Sequence, residues 1–314
     1  MSKAKGHFAG IDLGSTMTKV LLIDGEGQVV ARRHGPTGAE HRRLANRVMA
    51  QALEEAGLSL EQIDYIVATG YGRVNIPFAD CEVTELSCHA RGVSHLFPRA
   101  RTAIDIGGQD AKALKIKNGR LIDFVMNDRC AAGTGRFLEV TAAALGIKLE
   151  DMGRLSLEAT ESVKIGSTCT IFAQQEIVGL ITAGKPLPRI LAGLHEAIAR
   201  RVLEMARGLE IEADVVLTGG VAQNEGVVRA IGHNLGGKVL VPDEPLYSGA
   251  LGAALLAGDM AAKASANGAA VPGKERRLEA ARLYVLATSK VGHFLNRTLL
   301  DNQVAFTSSL GPWL

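Results

Sequence analysis

Two aspartates introduce the chemistry of this chain. Asp12 opens the run Asp-Leu-Gly-Ser-Thr, with Lys19 close behind it, and Asp105 opens Asp-Ile-Gly-Gly-Gln-Asp110. A glycine-rich turn after a strand brings backbone N–H groups close to phosphate oxygens, because no Cβ intervenes. Gly14, Ser15, Thr16, Met17 and Thr18 therefore form a candidate cradle for β/γ-phosphates, with charge from Lys19. Gly107, Gly108 and Gln109 form its counterpart. Asp12 and Asp105 would hold Mg²⁺ through its waters, the habit of a small hard cation. Asp105 would thereby be catalytic, with Gln109 or Asp110 orienting an attacking water. A third turn, Thr218-Gly-Gly-Val-Ala-Gln-Asn224, follows an apolar strand. Its Gly219, Gly220, Val221 and Gln223 would let the adenosine end of ATP or ADP lie flat on the backbone. A lone Asp-x-Gly is usually just a hairpin or a strand–helix junction. Two copies followed by Thr-Gly-Gly, in that order, point to a nucleotide.

The cysteines raise a second kind of chemistry. Cys130 lies in Asn127-Asp-Arg-Cys-Ala-Ala-Gly-Thr-Gly135 and Cys169 in Gly166-Ser-Thr-Cys-Thr-Ile171, each read as just ahead of a helix. A helix N-terminus has partial positive charge and unused N–H donors, which favour a thiolate and any anionic cluster it holds. The small residues around both leave room for an inorganic group. A [4Fe–4S] cluster takes four thiolates, so two such cysteines per chain suggest one cluster shared across a homodimer. Two inert buried thiols suit the local sequence equally well, and a ligand set using all four cysteines of one chain competes with both. Cys81 and Cys88 flank Val83-Thr-Glu-Leu86 without a helix-tip context and read as core.

The elements that must position these groups show an internal duplication. His7 to Val30 reads as strand, Asp-x-Gly turn, second strand to Ile23, an Asp24-Gly25 turn and a third strand. Thr102 to Val125 repeats the plan around Asn118-Gly119, and the two hairpin signals fall 12 and 13 residues after their aspartates. Two similar α/β lobes facing one cleft follow. Residues 1–98 are expected to form the first lobe, with 247–260 returning to it, and 99–246 the second, carrying the cluster-binding helices. Helices are expected over about 40–57 and 86–96, with further starts near Ala131, Thr168 and Pro188. From about Ala261 the composition turns to Ala, Gly, Ser and Lys and reads as a linker, leading to a tail of unassigned role through Leu314.

Composition removes other classes. A net charge of +2 and only 4% aromatic residues give no case for nucleic acid or an anionic membrane. The N-terminal stretch has no signal-peptide pattern, and no window reaches the apolar length of a membrane span. A cytoplasmic protein is expected, in which cysteines serve metals or catalysis sooner than disulfides.

Taken together, the three glycine turns resemble the phosphate-1, phosphate-2 and adenosine motifs of the actin/hexokinase/Hsp70 superfamily, with its two-lobed, ribonuclease H-like fold. More narrowly, the chain resembles the activator ATPases (archerases, component A) of 2-hydroxyacyl-CoA dehydratases, of the BadF/BadG/BcrA/BcrD type, and the ATPase subunits of benzoyl-CoA reductases. The likeness is carried by Ala68-Thr-Gly-Tyr-Gly-Arg73, Glu85-Leu-Ser-Cys-His-Ala90, Ile104 to Asp110, Asn127 to Phe137, Ser167-Thr-Cys-Thr170 and Thr218 to Asn224. It runs in order from about residue 7 to 258. The resemblance implies a homodimer bridged by one oxygen-sensitive [4Fe–4S] cluster on Cys130 and Cys169, as in an anaerobic system. It further implies ATP-driven one-electron transfer to the iron–sulfur component of a dehydratase or an aryl-CoA reductase, with ferredoxin or flavodoxin as upstream donor. A small-molecule kinase of the same fold would need a carboxylate base such as Asp110 and leaves the cysteines unexplained. A nucleotide-dependent scaffold or chaperone without redox chemistry is the other alternative.

Overall fold

The computed structural model describes residues 6–38, 40–127, 130–166, 169–266 and 276–278. Two five-stranded sheets organise them. The first contains β1 (His7–Leu13), β2 (Met17–Asp24), β3 (Val29–Pro36), β4 (Ile63–Thr69) and β5 (Cys81–Glu82), in the order β3-β2-β1-β4-β5. The second contains β6 (Thr102–Ile106), β7 (Ala111–Lys117), β8 (Arg120–Asn127), β9 (Val215–Thr218) and β10 (Val239–Leu240). Its order, β8-β7-β6-β9-β10, repeats the first: two antiparallel hairpin strands, the aspartate-bearing strand, then parallel partners. The repeat in the sequence is thus a repeat of topology, and the duplicated two-lobed α/β architecture is present.

Local chemistry explains the hairpins. Asp24 Oδ1 accepts the N–H groups of Glu26 and Gln28 at 2.8 and 2.9 Å and closes the first turn. Asn118 and Gly119 close the second with φ of 52° and 73°, the geometry for which Asn-Gly is suited. β1 and β4 are covered on both faces, which is why Ala9, Ile11, Leu13, Ile66, Val67 and Ala68 form near-continuous apolar runs.

On one face of the first sheet, α1 (His41–Ala56) buries Leu44, Val48, Met49 and Leu53. On the other lies α8 (Ser248–Ala266), packed against β1, β4 and α2 (Glu85–Leu96). Small residues let α8 come close: a Cβ on Gly252 would lie 1.7 Å from the Cys88 carbonyl oxygen. The opposite side of α2 presents Ala90 and Val93 to Leu114, Ile116 and Val216 of the second sheet. α2 therefore lies between the two sheets. The second sheet's other face carries the main core, where α6 (Leu187–Ala206) buries Ile190, Leu191, Leu194, Ile198 and Val202. Around it stand α3 (Gly135–Leu145), α4 (Asp151–Leu157), α5 (Thr170–Thr182) and α7 (Glu225–Leu235).

Two boundaries differ from expectation. α3 begins at Gly135, not near Ala131, because Gly133 adopts φ +86° and residues 131–134 form a turn closed by Thr134 Oγ1 donating to the Ala131 carbonyl at 2.8 Å. Cys130 therefore precedes a turn rather than a helix tip. Cys169, by contrast, is the residue that caps α5. α8 runs on to Ala266, into the expected linker, since its alanines are strong helix formers. The rest of that linker and the tail, 267–275 and 279–314, lie outside the described residues. No helix among the described residues is long and apolar enough to cross a membrane.

Candidate functional site

A cavity of about 900 Å³ opens between the two sheets. Its walls include Asp12, Gly14, Ser15, Thr16, Met17 and Lys19 from the first hairpin, and Asp105, Gly107, Gly108, Gln109 and Asp110 from the second. Gly219, Gly220, Val221 and Gln223 of the third turn complete them. One expected residue is absent: Thr18 is fully buried, its Oγ1 3.0 Å from Thr37 Oγ1. Side chains alternate across a strand, so with Met17 and Lys19 facing the cavity Thr18 must face away.

The two phosphate turns share one construction. Gly14 N–H donates to the Met17 carbonyl at 3.2 Å, and Gly107 N–H to that of Asp110 at 2.9 Å. They also abut: a Cβ on Gly108 would lie 2.3 Å from Thr16 Oγ1. Gly219, at φ +85°, passes so near β6 that a Cβ would meet the Ile106 carbonyl oxygen at 2.4 Å.

Charge is concentrated on the cavity floor. In each hairpin a lysine lies directly across from the aspartate, Asp12 opposite Lys19 and Asp105 opposite Lys112. Lys19 Nζ donates to Asp12 Oδ2 at 2.9 Å. Burial opposes the charge of Lys19, yet the Asp12 carboxylate outweighs it and holds the pKa above the usual lysine value. Lys112, 3% exposed, reaches three carboxylates: Glu85 and Asp110 at 2.8 Å and Asp105 at 3.7 Å. Burial again opposes its charge, and Asp105, Glu85 and Asp110 together raise its pKa well above normal. Asp105 is fully desolvated, which favours the acid. His89, Lys112 and the Thr218 hydroxyl at 2.8 Å overcome this and keep its pKa low. Burial raises Glu85, only partly offset by Lys112. His89 Nδ1 lies 3.5 Å from Asp105 Oδ1 without a hydrogen bond to it. Asp12 Oδ1 is buried with no protein hydrogen-bond partner among the described residues.

Lys112, Glu85 and His89 were not singled out as site residues from sequence. Glu85, His89 and Asp105 offer ligand atoms within 4.8 Å of one another. The Lys112 ammonium already sits against two of these groups and supplies positive charge there. The unpartnered Asp12 Oδ1 and the ionised Asp105 suit a hydrated Mg²⁺ better. Cys130 and Cys169 are free, half-buried thiols that do not line this cavity. Cys88 is core, its thiol pushed up to about 12 by burial, and Cys81 lies on the short strand β5.

Comparisons with known proteins place the chain among ATPases. The family profile of the BadF/BadG/BcrA/BcrD ATPases matches residues 9–257. The activator of lactoyl-CoA dehydratase from Anaerotignum propionicum is 46% identical, over 81% of this chain and 98% of that protein. The solved structure of the activator of the 2-hydroxyisocaproyl-CoA dehydratase from Clostridium difficile, with bound ADPNP, superposes with a TM-score of 0.79. It is 42% identical and covers 83% of this chain and 97% of that one. A more distant relative, a component of the benzoyl-CoA reductase of Thauera aromatica, is 32% identical over 79% of this chain and 91% of its own length.

Proposed function

Because the chain belongs to the BadF/BadG/BcrA/BcrD ATPase family, and is accordingly an ATPase of the actin/hexokinase/Hsp70-like fold, we propose that it uses ATP hydrolysis to deliver low-potential electrons to a separate 2-hydroxyacyl-CoA dehydratase. One observation carries this reading. A nucleotide cleft with paired Asp–Lys hairpins occurs in the same chain as two half-buried thiols, Cys130 and Cys169, outside that cleft. A kinase would need only the cleft.

In the cleft, the turns at Gly14 to Thr16 and Gly107 to Gly108 offer N–H groups to phosphate oxygens. Lys19 adds charge, and the turn at Gly219 to Gln223 supports the adenosine end. Asp12 and Asp105 would hold Mg²⁺, a role supported by the unpartnered Asp12 Oδ1 and by the low pKa of Asp105. A carboxylate whose pKa is held low is a weak base, so the catalytic part of Asp105 would be to place the metal. Asp110 is engaged by Lys112 at 2.8 Å, which leaves Gln109, exposed on the cavity wall, to orient the attacking water.

Cys130 and Cys169 suit an iron–sulfur cluster as soft, accessible donors. They are half of the four thiolates a [4Fe–4S] cluster takes, so the reading requires a second copy of the chain about a two-fold axis. α5, which starts at Cys169, supports this. It exposes Ile171 and Phe172 at 66% each, with Val178 and Ile181 beyond, an apolar surface of the kind that marks an interface. When bound, the cluster supplies a one-electron store, refilled by ferredoxin or flavodoxin. A benzoyl-CoA-type reductase as recipient is the second reading, supported by the Thauera aromatica relative.

The test is iron and acid-labile sulfide in protein purified without oxygen. About four irons per two chains are expected. Cys130→Ala and Cys169→Ala should each abolish the iron, while Cys81→Ala should retain it. A colourless, iron-free monomer after attempted cluster reconstitution would overturn the redox reading.

A further inference from the structure

Beside the cavity runs a buried polar chain that the chemistry above does not use. His195, in α6, is 1% exposed. Its Nδ1 lies 3.0 Å from Ser156 Oγ of α4 and its Nε2 3.3 Å from Asn224 Nδ2. The outer partners fix where the protons are. Asn224 caps α7, its Oδ1 accepting the Val227 N–H at 3.1 Å, so its Nδ2 is turned to the imidazole. An amide nitrogen only donates. His195 Nε2 therefore accepts, and Nδ1 carries the hydrogen and donates it to Ser156 Oγ. Ser156 in turn donates to the Gly153 carbonyl at 2.7 Å. The direction of donation is single along the whole chain. Packing holds it in place: a Cβ on Gly226 would lie 2.2 Å from Ser156 Oγ and 2.3 Å from His195 Nδ1.

Asn224 ends the third glycine turn and itself lines the cavity. Farther along, α6 also fastens the segment leading to Cys169. The Arg189 carbonyl accepts the Val163 N–H at 3.1 Å, and Arg200 Nη2 donates to the Ile165 carbonyl at 3.1 Å. We propose that His195 is a positioning residue for the nucleotide: by holding the Asn224 amide it fixes the adenosine-side turn to α6, the helix that also holds the approach to Cys169. The proposal rests on the reading of the cavity as an ATP site. Its physical content is preorganisation. Without the imidazole, Asn224 has to be ordered when nucleotide arrives, and affinity falls.

The test titrates full-length protein with MgATP and records unfolding midpoints without nucleotide. His195→Phe keeps a ring but loses both hydrogen bonds, and should raise Kd about tenfold. His195→Gln presents an oxygen to Asn224 and an N–H to Ser156, and should restore affinity to within about threefold. Ser156→Ala should weaken binding in the same direction, and combined with His195→Phe should add nothing, because the two belong to one chain. Ser156→Ala also reports on the relay if His195→Phe does not fold. Wild-type affinity in both single variants, or a Kd that merely follows the unfolding midpoint across the series, Gln included, would overturn the proposal. Failure of the unsubstituted protein to bind MgATP would overturn the ATP-site reading beneath it.

Discussion

Lys19 and Lys112 meet the same need in different company. Each faces an aspartate seven residues earlier across a hairpin, but Lys112 also neutralises Glu85 and Asp110. That common offset is visible in the sequence, so Lys112 becomes legible once the repeat is aligned residue by residue. Thr18 teaches the converse: a contiguous run of candidates ignores the pleat, which gives every second residue to the other face. Glu85 and His89 are different again, because only the packing of α2 between the sheets brings them to Asp105. Lys112→Met keeps the aliphatic stem and leaves three carboxylates without their shared cation. It should lose about 3 kcal/mol in urea unfolding. Gln109→Ala, by contrast, should keep wild-type unfolding and MgATP affinity while slowing hydrolysis about a hundredfold. Wild-type turnover in Gln109→Ala would contradict its water-orienting role, and unchanged stability in Lys112→Met would contradict the charge argument.

At the scale of elements, the helix starts show where local pattern is decisive. Gly133 at φ +86° delays α3, and with it removes the helix tip expected at Cys130, whereas Cys169 does cap α5. Periodicity could not reveal the turn, because Ala-Ala-Gly-Thr serves a helix start or a loop equally well. The small-residue character of α8 is legible, and so is its meaning, close approach. α2 and α8 touch backbone to backbone at Gly252 and the Cys88 carbonyl, and a carbonyl held in a helix has no rotamer by which to yield. Gly252→Val should therefore cost more than about 3 kcal/mol, by overpacking. A urea midpoint equal to that of the unsubstituted protein would contradict this account of the contact.

For the whole molecule, duplication explains both the fold and the cleft. Two copies of one topology set two Asp–Lys hairpins face to face, and α2 links their sheets. Both hairpins and the third turn are legible in the sequence because each is a short contiguous signal. The apolar outward face of α5 is not, since only the folded helix shows which of its side chains stay uncovered. On the proposed account, cleft and thiols serve one purpose, spending ATP to push single electrons into another enzyme. The most direct measurement mixes the anaerobically purified protein, a reductant and ATP with a 2-hydroxyacyl-CoA dehydratase, and counts ATP hydrolysed per substrate turned over. The account predicts that brief activation supports many turnovers, and that omitting ATP or replacing Cys169 with alanine abolishes them. A fixed ATP requirement in every cycle would contradict the dehydratase reading in favour of an aryl-CoA reductase. Full dehydratase activity without ATP would contradict the account itself.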